Sequence, residues 1–188
     1  MIKKFPIRLL DFTGIYDYES FASGHNITHV DCRNMNGVDC YCDVEGRRKL
    51  HSLLAPYPAQ ALHFIDSGDY HYLTEYWVSK LQEPFTLIVF DHHQAWPLKA
   101  GKLIHEPVYI SIDKDVLRKQ DAITDWSNGD MSLMQMQAVL RIIYAHEKVI
   151  GVDITGECSA TLDYLSEVKD ASVNNIANEE LMKMILTE

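Results

Sequence analysis

The chain has 188 residues, a formal charge of −10 and four cysteines; 47% of its residues are apolar and 23% are charged. That size and composition fit one soluble globular domain over residues 1–188. The acidic balance excludes the basic face that a nucleic-acid backbone requires, and no apolar run is long enough to span a membrane.

Met1 to Pro6 carries two lysines but no long apolar stretch and no small-residue cleavage site, so it does not read as an export signal. A cytoplasmic location is expected, with Cys32, Cys40, Cys42 and Cys158 as reduced thiols. Ile7 to Phe12 reads as a strand. Tyr16 to Tyr41 is polar, is broken by Gly24 and Gly37, and reads as a long functional loop. Within it, His25, His29 and Asp31 beside Cys32, Cys40 and Cys42 invite a zinc reading. Cys40-x-Cys42 lacks the Cys-x-x-Cys spacing of a structural knuckle, so packed thiols and loop histidines are expected instead.

Asp43 to Leu54 predicts a helix with an acidic first turn, stopped by Pro56 and Pro58. Ala61 to Ile65 is a strand leading into Asp66-Ser67-Gly68-Asp69-Tyr70-His71. Leu73, Trp77 and Leu81 form one stripe of a helix that Pro84 ends. Thr86 to Phe90 is apolar without alternation, which predicts a strand buried on both faces at the centre of a sheet. It runs straight into Asp91-His92-His93. Val108 to Ile112 is a further strand, ending in Asp113-Lys114-Asp115. The connection between these two, with Pro97 and Gly101, is too short for a well-formed crossover helix.

After a polar turn from Asp121 to Asp130, Met131 to His146 predicts a helix with Leu133, Met136, Leu140 and Ile143 on one face. Val149 to Asp153 is a fifth strand. Ser159 is placed to cap a short helix, and Asn178 to Leu186 to form a last amphipathic one. There is no internal repeat or linker. Strands alternating with helices give an α/β fold of three layers, α/β/α, around a mostly parallel sheet.

Three predicted strands end in carboxylates and imidazoles. Positions i and i+2 of a strand point to one side, so Asp91 with His93, and Asp113 with Asp115, can each grip one ion. Taken singly, these residues are ordinary polar pairs and capping acids at strand ends. Their agreement at three strand ends favours a divalent metal.

The order Gly68-Asp69-Tyr70-His71, Asp91-x-His93 and Ser111-x-Asp113-x-Asp115, followed by an acidic strand end, resembles the arginase and deacetylase superfamily. More narrowly, it resembles small bacterial arginase-like proteins whose motif reads Ser-Gly-Asp-Tyr-His-Tyr-Leu-Thr. The likeness runs from about Ala61 to Glu157. It implies a metal site at the carboxyl edge of the sheet, holding two manganese ions that bridge a hydroxide in ureohydrolases and one zinc in deacetylases. His71 matches the motif histidine when Tyr70 is taken as an insertion; without the insertion Tyr70 takes its place. Asp91, His93, Asp113 and Asp115 match metal ligands. Glu157, or Asp153, matches a substrate-binding acid, the turn from Asp125 to Asp130 matches a pocket wall, and His92 or His71 is placed to relay a proton.

Ala95 stands where the ureohydrolase motif has a further aspartate, which leaves one metal position whole and deprives the other of a carboxylate. The implied activity is hydrolysis of a non-peptide carbon–nitrogen bond, amidine, guanidino or acylamino, in a small molecule. A water activated by Mn2+ or Zn2+ would be the nucleophile. The alternative is a catalytically impaired metal-binding or regulatory protein on the same fold.

Overall fold

A computed structural model describes residues 5–92, 106–159 and 164–187, with the backbone alone for 164–169. His93 and Ala95 therefore lie outside the described residues, as does most of the connection that follows them. The described strands are β1 (Ile7–Asp11), β2 (Ile27–Asp31), β3 (Leu62–Ile65), β4 (Thr86–Phe90), β5 (Val108–Asp113) and β6 (Val149–Thr155). They form one sheet in the order β2-β1-β3-β6-β5-β4, with every pairing parallel. The helices are α1 (Val44–Leu54), α2 (Leu73–Val78), α3 (Leu133–His146) and α4 (Tyr164–Thr187).

Period-two alternation along the strands sorts their side chains into two cores. Ile7, Leu9, Leu62, Phe64, Val108, Ile110 and Ile112 face the layer of Met136, Leu140, Leu181 and Ile185 from α3 and α4. Leu10, Ile65 and Tyr109 face the other way, onto Leu50 and Leu54 of α1 and Leu73 and Trp77 of α2. This is the three-layer α/β/α arrangement that the alternation of elements predicts. The helix starts are local: Asp43 accepts from Gly46 N at 2.6 Å, and Ser132 and Gln135 form a reciprocal capping box.

Three expectations change. The segment read as a long loop contains β2, an edge strand whose Thr28, His29 and Asp31 are exposed, so that only Val30 is fully buried and Ile27 partly so. Thr86–Phe90 is not central. Among the described residues β4 is the opposite edge, with Leu87 40% exposed, because β5 and β6 lie between it and β3. The last helix is far longer than its apolar stretch, since the buried Asn174 and Asn178 interrupt the periodicity. The short helix expected to start at Ser159 falls on residues 160–163, outside the described residues; the Ser159 backbone N–H donates to Asp125 Oδ2 at 2.8 Å. No described helix is long and apolar enough to cross a membrane.

Candidate metal centre

A parallel sheet delivers all its strand ends to one edge, and Asp66 ties three of them together. At the end of β3, its carboxylate accepts from Phe12 N at 2.7 Å and Thr13 N at 2.8 Å, beyond β1. It also accepts from the Thr13 hydroxyl at 2.9 Å and from Ser67 N at 2.7 Å. Its own carbonyl accepts from Gly156 N and Glu157 N, beyond β6. Burial pushes the Asp66 carboxyl up to about 7, against the opposing pull of these donors. The folded state then binds this proton more tightly than the unfolded chain. Its contribution to stability is fully present below the unfolded value and is lost as pH rises to about 7. In the absence of metal, the parent should therefore lose more stability between about pH 5 and pH 8 than Asp66→Asn. Denaturant midpoints at the two pH values check this, and equal losses refute it.

Beyond Asp66, Ser67 caps a short 3-10 turn (Gly68–Tyr70) that carries His71 over the sheet edge. Tyr70 turns inward and stacks on Phe12 at 3.9 Å between ring centroids. His71, rather than Tyr70, thus faces the acids. His71 Nδ1 lies 3.2 Å from Asp91 Oδ2 and 3.5 Å from Asp113 Oδ2. Its Nε2 lies 2.8 Å from Ser111 Oγ. The Ser111 hydroxyl donates to Asp153 Oδ1 at 2.7 Å, and Thr74 donates to the same oxygen at 3.0 Å.

Because the Ser111 hydrogen goes to Asp153, Ser111 Oγ accepts from His71 Nε2–H, which leaves Nδ1 to face the two carboxylates. A lone pair and two carboxylates repel unless a cation, a proton or a metal ion, lies among them. Burial lowers the His71 pKa, but the hydrogen bond its ring can donate to Asp91 and the charges of Asp113 and Asp153 outweigh it and raise it overall. Burial, and then the charge of Asp115, pushes the Asp113 carboxyl up to about 6. Both shifts report a surplus of buried negative charge. Carboxylate oxygens with one imidazole nitrogen suit Mn2+ or Zn2+.

The structure thus brings His71, Asp91 and Asp113 together. Asp115 adjoins them: its N–H donates to Asp113 Oδ1 at 3.0 Å, and its Oδ1 accepts from His92 N at 2.9 Å. The His92 side chain is exposed, and a methyl on Gly129 would lie 3.1 Å from its Nδ1. Glu157, expected to meet a substrate, is 1% exposed and forms an ion pair with buried Lys114. An acid so enclosed is already matched from within the chain.

The sequence reading missed Thr74, Ser111 and Asp153 as the support behind His71. Ser111 is in phase with Asp113 on β5, so period two alone could have placed it on that side; Asp115 lies beyond the strand, in the 3-10 turn Lys114–Val116. The reading also missed that donor atoms of Asp39, Cys40 and Asp69 lie within 4.8 Å of one another. Cys40 is exposed rather than packed. Its hydrogen bond to Asp69, followed by burial, pushes the thiol up to about 11, which disfavours the thiolate a metal would need. His29 pairs with Asp11 at 3.3 Å instead of turning toward a metal site.

No protein-family model matches the chain. An uncharacterized protein of Thermotoga maritima is 29% identical over 196 residues, covering 80% of this chain and 79% of that protein. Among solved structures, arginase from Bacillus subtilis superposes with a TM-score of 0.58 at 11% identity, covering 95% of this chain and 98% of that one. Formimidoylglutamase from Bacillus subtilis superposes with a TM-score of 0.54 at 13% identity, over 96% of this chain and 87% of that one. At such identities the likeness shows the fold alone: this chain has an arginase-like α/β fold.

Proposed function

We propose, with the arginase-like fold as premise, that this protein is a metal-dependent hydrolase of a non-peptide carbon–nitrogen bond in a small amidine, guanidino or acylamino compound. The observation that carries the reading is His71 Nδ1 between Asp91 and Asp113 at the carboxyl edge of the sheet. That edge is where open parallel sheets bind ligands. Asp91, Asp113 and His71 would hold Mn2+ or Zn2+, with Asp115 and His93 completing the set. When bound, such an ion makes a water nucleophilic near neutral pH.

The chain's own groups supply the rest. Asp153 and Thr74 hold Ser111, and Ser111 holds the His71 ring in one tautomer, so its ligating nitrogen is presented without reorganisation. Asp115 fixes the backbone at His92, whose exposed ring is the proton carrier in this reading. The half-exposed Trp126 stands over Gly68, 3.2 Å from where a methyl on that glycine would lie, and walls the approach to Asp113. Glu157 takes no substrate role here, because Lys114 occupies it.

The test is metal titration of protein purified without chelators, followed by turnover on guanidino, amidine and acylamino panels. One tight divalent ion per chain with hydrolysis of a panel member is the expected result; failure to bind either metal would remove the basis of the reading. Ala95 favours a second reading, a metal-binding or regulatory protein with impaired chemistry. Under it the parent binds one ion without turnover, and Ala95→Asp raises the stoichiometry toward two.

A further inference from the structure

Lys114 stands between Asp113 and Asp115, yet its side chain points away from them. It opens the 3-10 turn Lys114–Val116 that follows β5, and its side chain is fully buried. Its ammonium donates to Glu157 Oε1 and, at 3.0 Å, to Asn178 Oδ1 of α4. Asn178 in turn donates to Glu157 Oε1 at 2.7 Å and to Glu19 Oε2 at 2.8 Å. These bonds fix the amide, with its oxygen on the ammonium and its nitrogen on the two carboxyl groups. Glu19 Oε1 and Glu157 Oε2 are both buried at this cluster. Burial, and then the charge of Glu157, pushes the Glu19 carboxyl up to about 10. At the centre of the cluster is the buried ion pair of Lys114 and Glu157.

Such a buried pair contributes little net stability over apolar side chains of the same volume. What it supplies here is a fixed distance between the β5 end and a helix remote in sequence. Gly156 closes the same junction. It sits at φ +91°, and a methyl there would meet Asp113 Oδ1 at 2.5 Å and Lys114 N at 2.7 Å.

We propose that Lys114 is a positioning residue for the metal centre: through Glu157 and Asn178 it ties the Asp113–Asp115 tip to α4, so that this helix keeps the two carboxylates in register with His71. The inference rests on the metal-centre reading above and deepens it, since it assigns a role to groups that would touch neither metal nor substrate.

The experiment is calorimetric titration of the full chain with Mn2+ and with Zn2+, alongside thermal melting of each variant. Asn178→Ala, far from the ligands, should weaken binding about tenfold or more while the protein stays folded at the assay temperature. Lys114→Met should weaken it further. Adding Glu157→Met to Lys114→Met removes the stranded charge; the melting temperature should recover and the metal affinity should stay low. A merely structural pair would recover both, so parent-like affinity in that double variant overturns the proposal, as does parent-like affinity in Asn178→Ala. If the parent binds neither ion, the metal reading itself fails. Amide exchange then decides the tether. The N–H groups of Asp115 and Leu117 donate to Asp113 Oδ1 and to the Lys114 carbonyl. Their protection should fall in Asn178→Ala, and unchanged protection refutes the tether without reference to metal.

Discussion

Asp113→Asn should lower the affinity for Mn2+ or Zn2+ by about two orders of magnitude. A four-ligand zinc site binds with about 10–16 kcal/mol, so each ligand carries roughly 3 kcal/mol, about a hundredfold in affinity. Asparagine is the informative substitute. Its side-chain oxygen can still accept from Asp115 N, as Asp113 Oδ1 does at 3.0 Å, so the local turn survives while the charge is lost. Asp91→Asn should act to the same extent, because its carboxylate lies 3.2 Å from the same His71 nitrogen. The exposed Asp17, paired with Arg33 at 3.1 Å, is the control, and Asp17→Asn should leave binding unchanged. Calorimetry on the three variants reads the difference. If both site variants bind like the control, the ligands have been wrongly chosen.

The largest loss of stability is expected from Trp77→Ala. Trp77 is fully buried on α2, stacked on His63 at 3.8 Å between centroids, with the Lys80 ammonium 5.1 Å from its ring centre. Truncation of a buried aromatic to alanine costs about 3–5 kcal/mol, against about 5–15 kcal/mol for a whole domain. The variant should therefore unfold at a much lower denaturant concentration, and His71, just ahead of α2, should lose its support in the same transition. Trp77→Phe should be far milder: the indole nitrogen is buried with no partner among the described residues, so no hydrogen bond is lost. Urea midpoints for the two variants separate ring volume from hydrogen bonding, and equal losses would contradict this account.

Periodicity made most of the architecture readable. The apolar run of Val108 to Ile112 and the stripe of Leu133, Met136, Leu140 and Ile143 both lie where their patterns place them. What failed was rank within the sheet. Thr86 to Phe90 is as apolar as a central strand, but strand order depends on which pairs form across long separations, and local composition does not encode that. β2 escaped because an edge strand with exposed Thr28 and His29 has little hydrophobic signal. At the site, spacing gathered His71, Asp91 and Asp113 because strand ends are local features. It assigned Glu157 to a substrate because nothing in the sequence shows that Lys114, 43 residues away, reaches it first. Buried polar pairs between remote elements are contacts that only the fold discloses.

The strand order also sets when the candidate centre can exist. Residues up to β3 build one half of the sheet, and β4 and β5 belong to the other. The two halves meet through β6, whose Val152 pairs with Leu62 across about 90 residues. Closing so long a separation is slow, since chain entropy must be lost before the pairing is rewarded. His71 comes from the first half, and Asp91 and Asp113 come from the second. A nascent chain that has made every acid and imidazole of the cluster still holds them apart until β6 emerges and inserts. Assembly of the candidate centre is therefore a late event in the folding of this chain, and an ion offered during synthesis would meet scattered groups rather than a site.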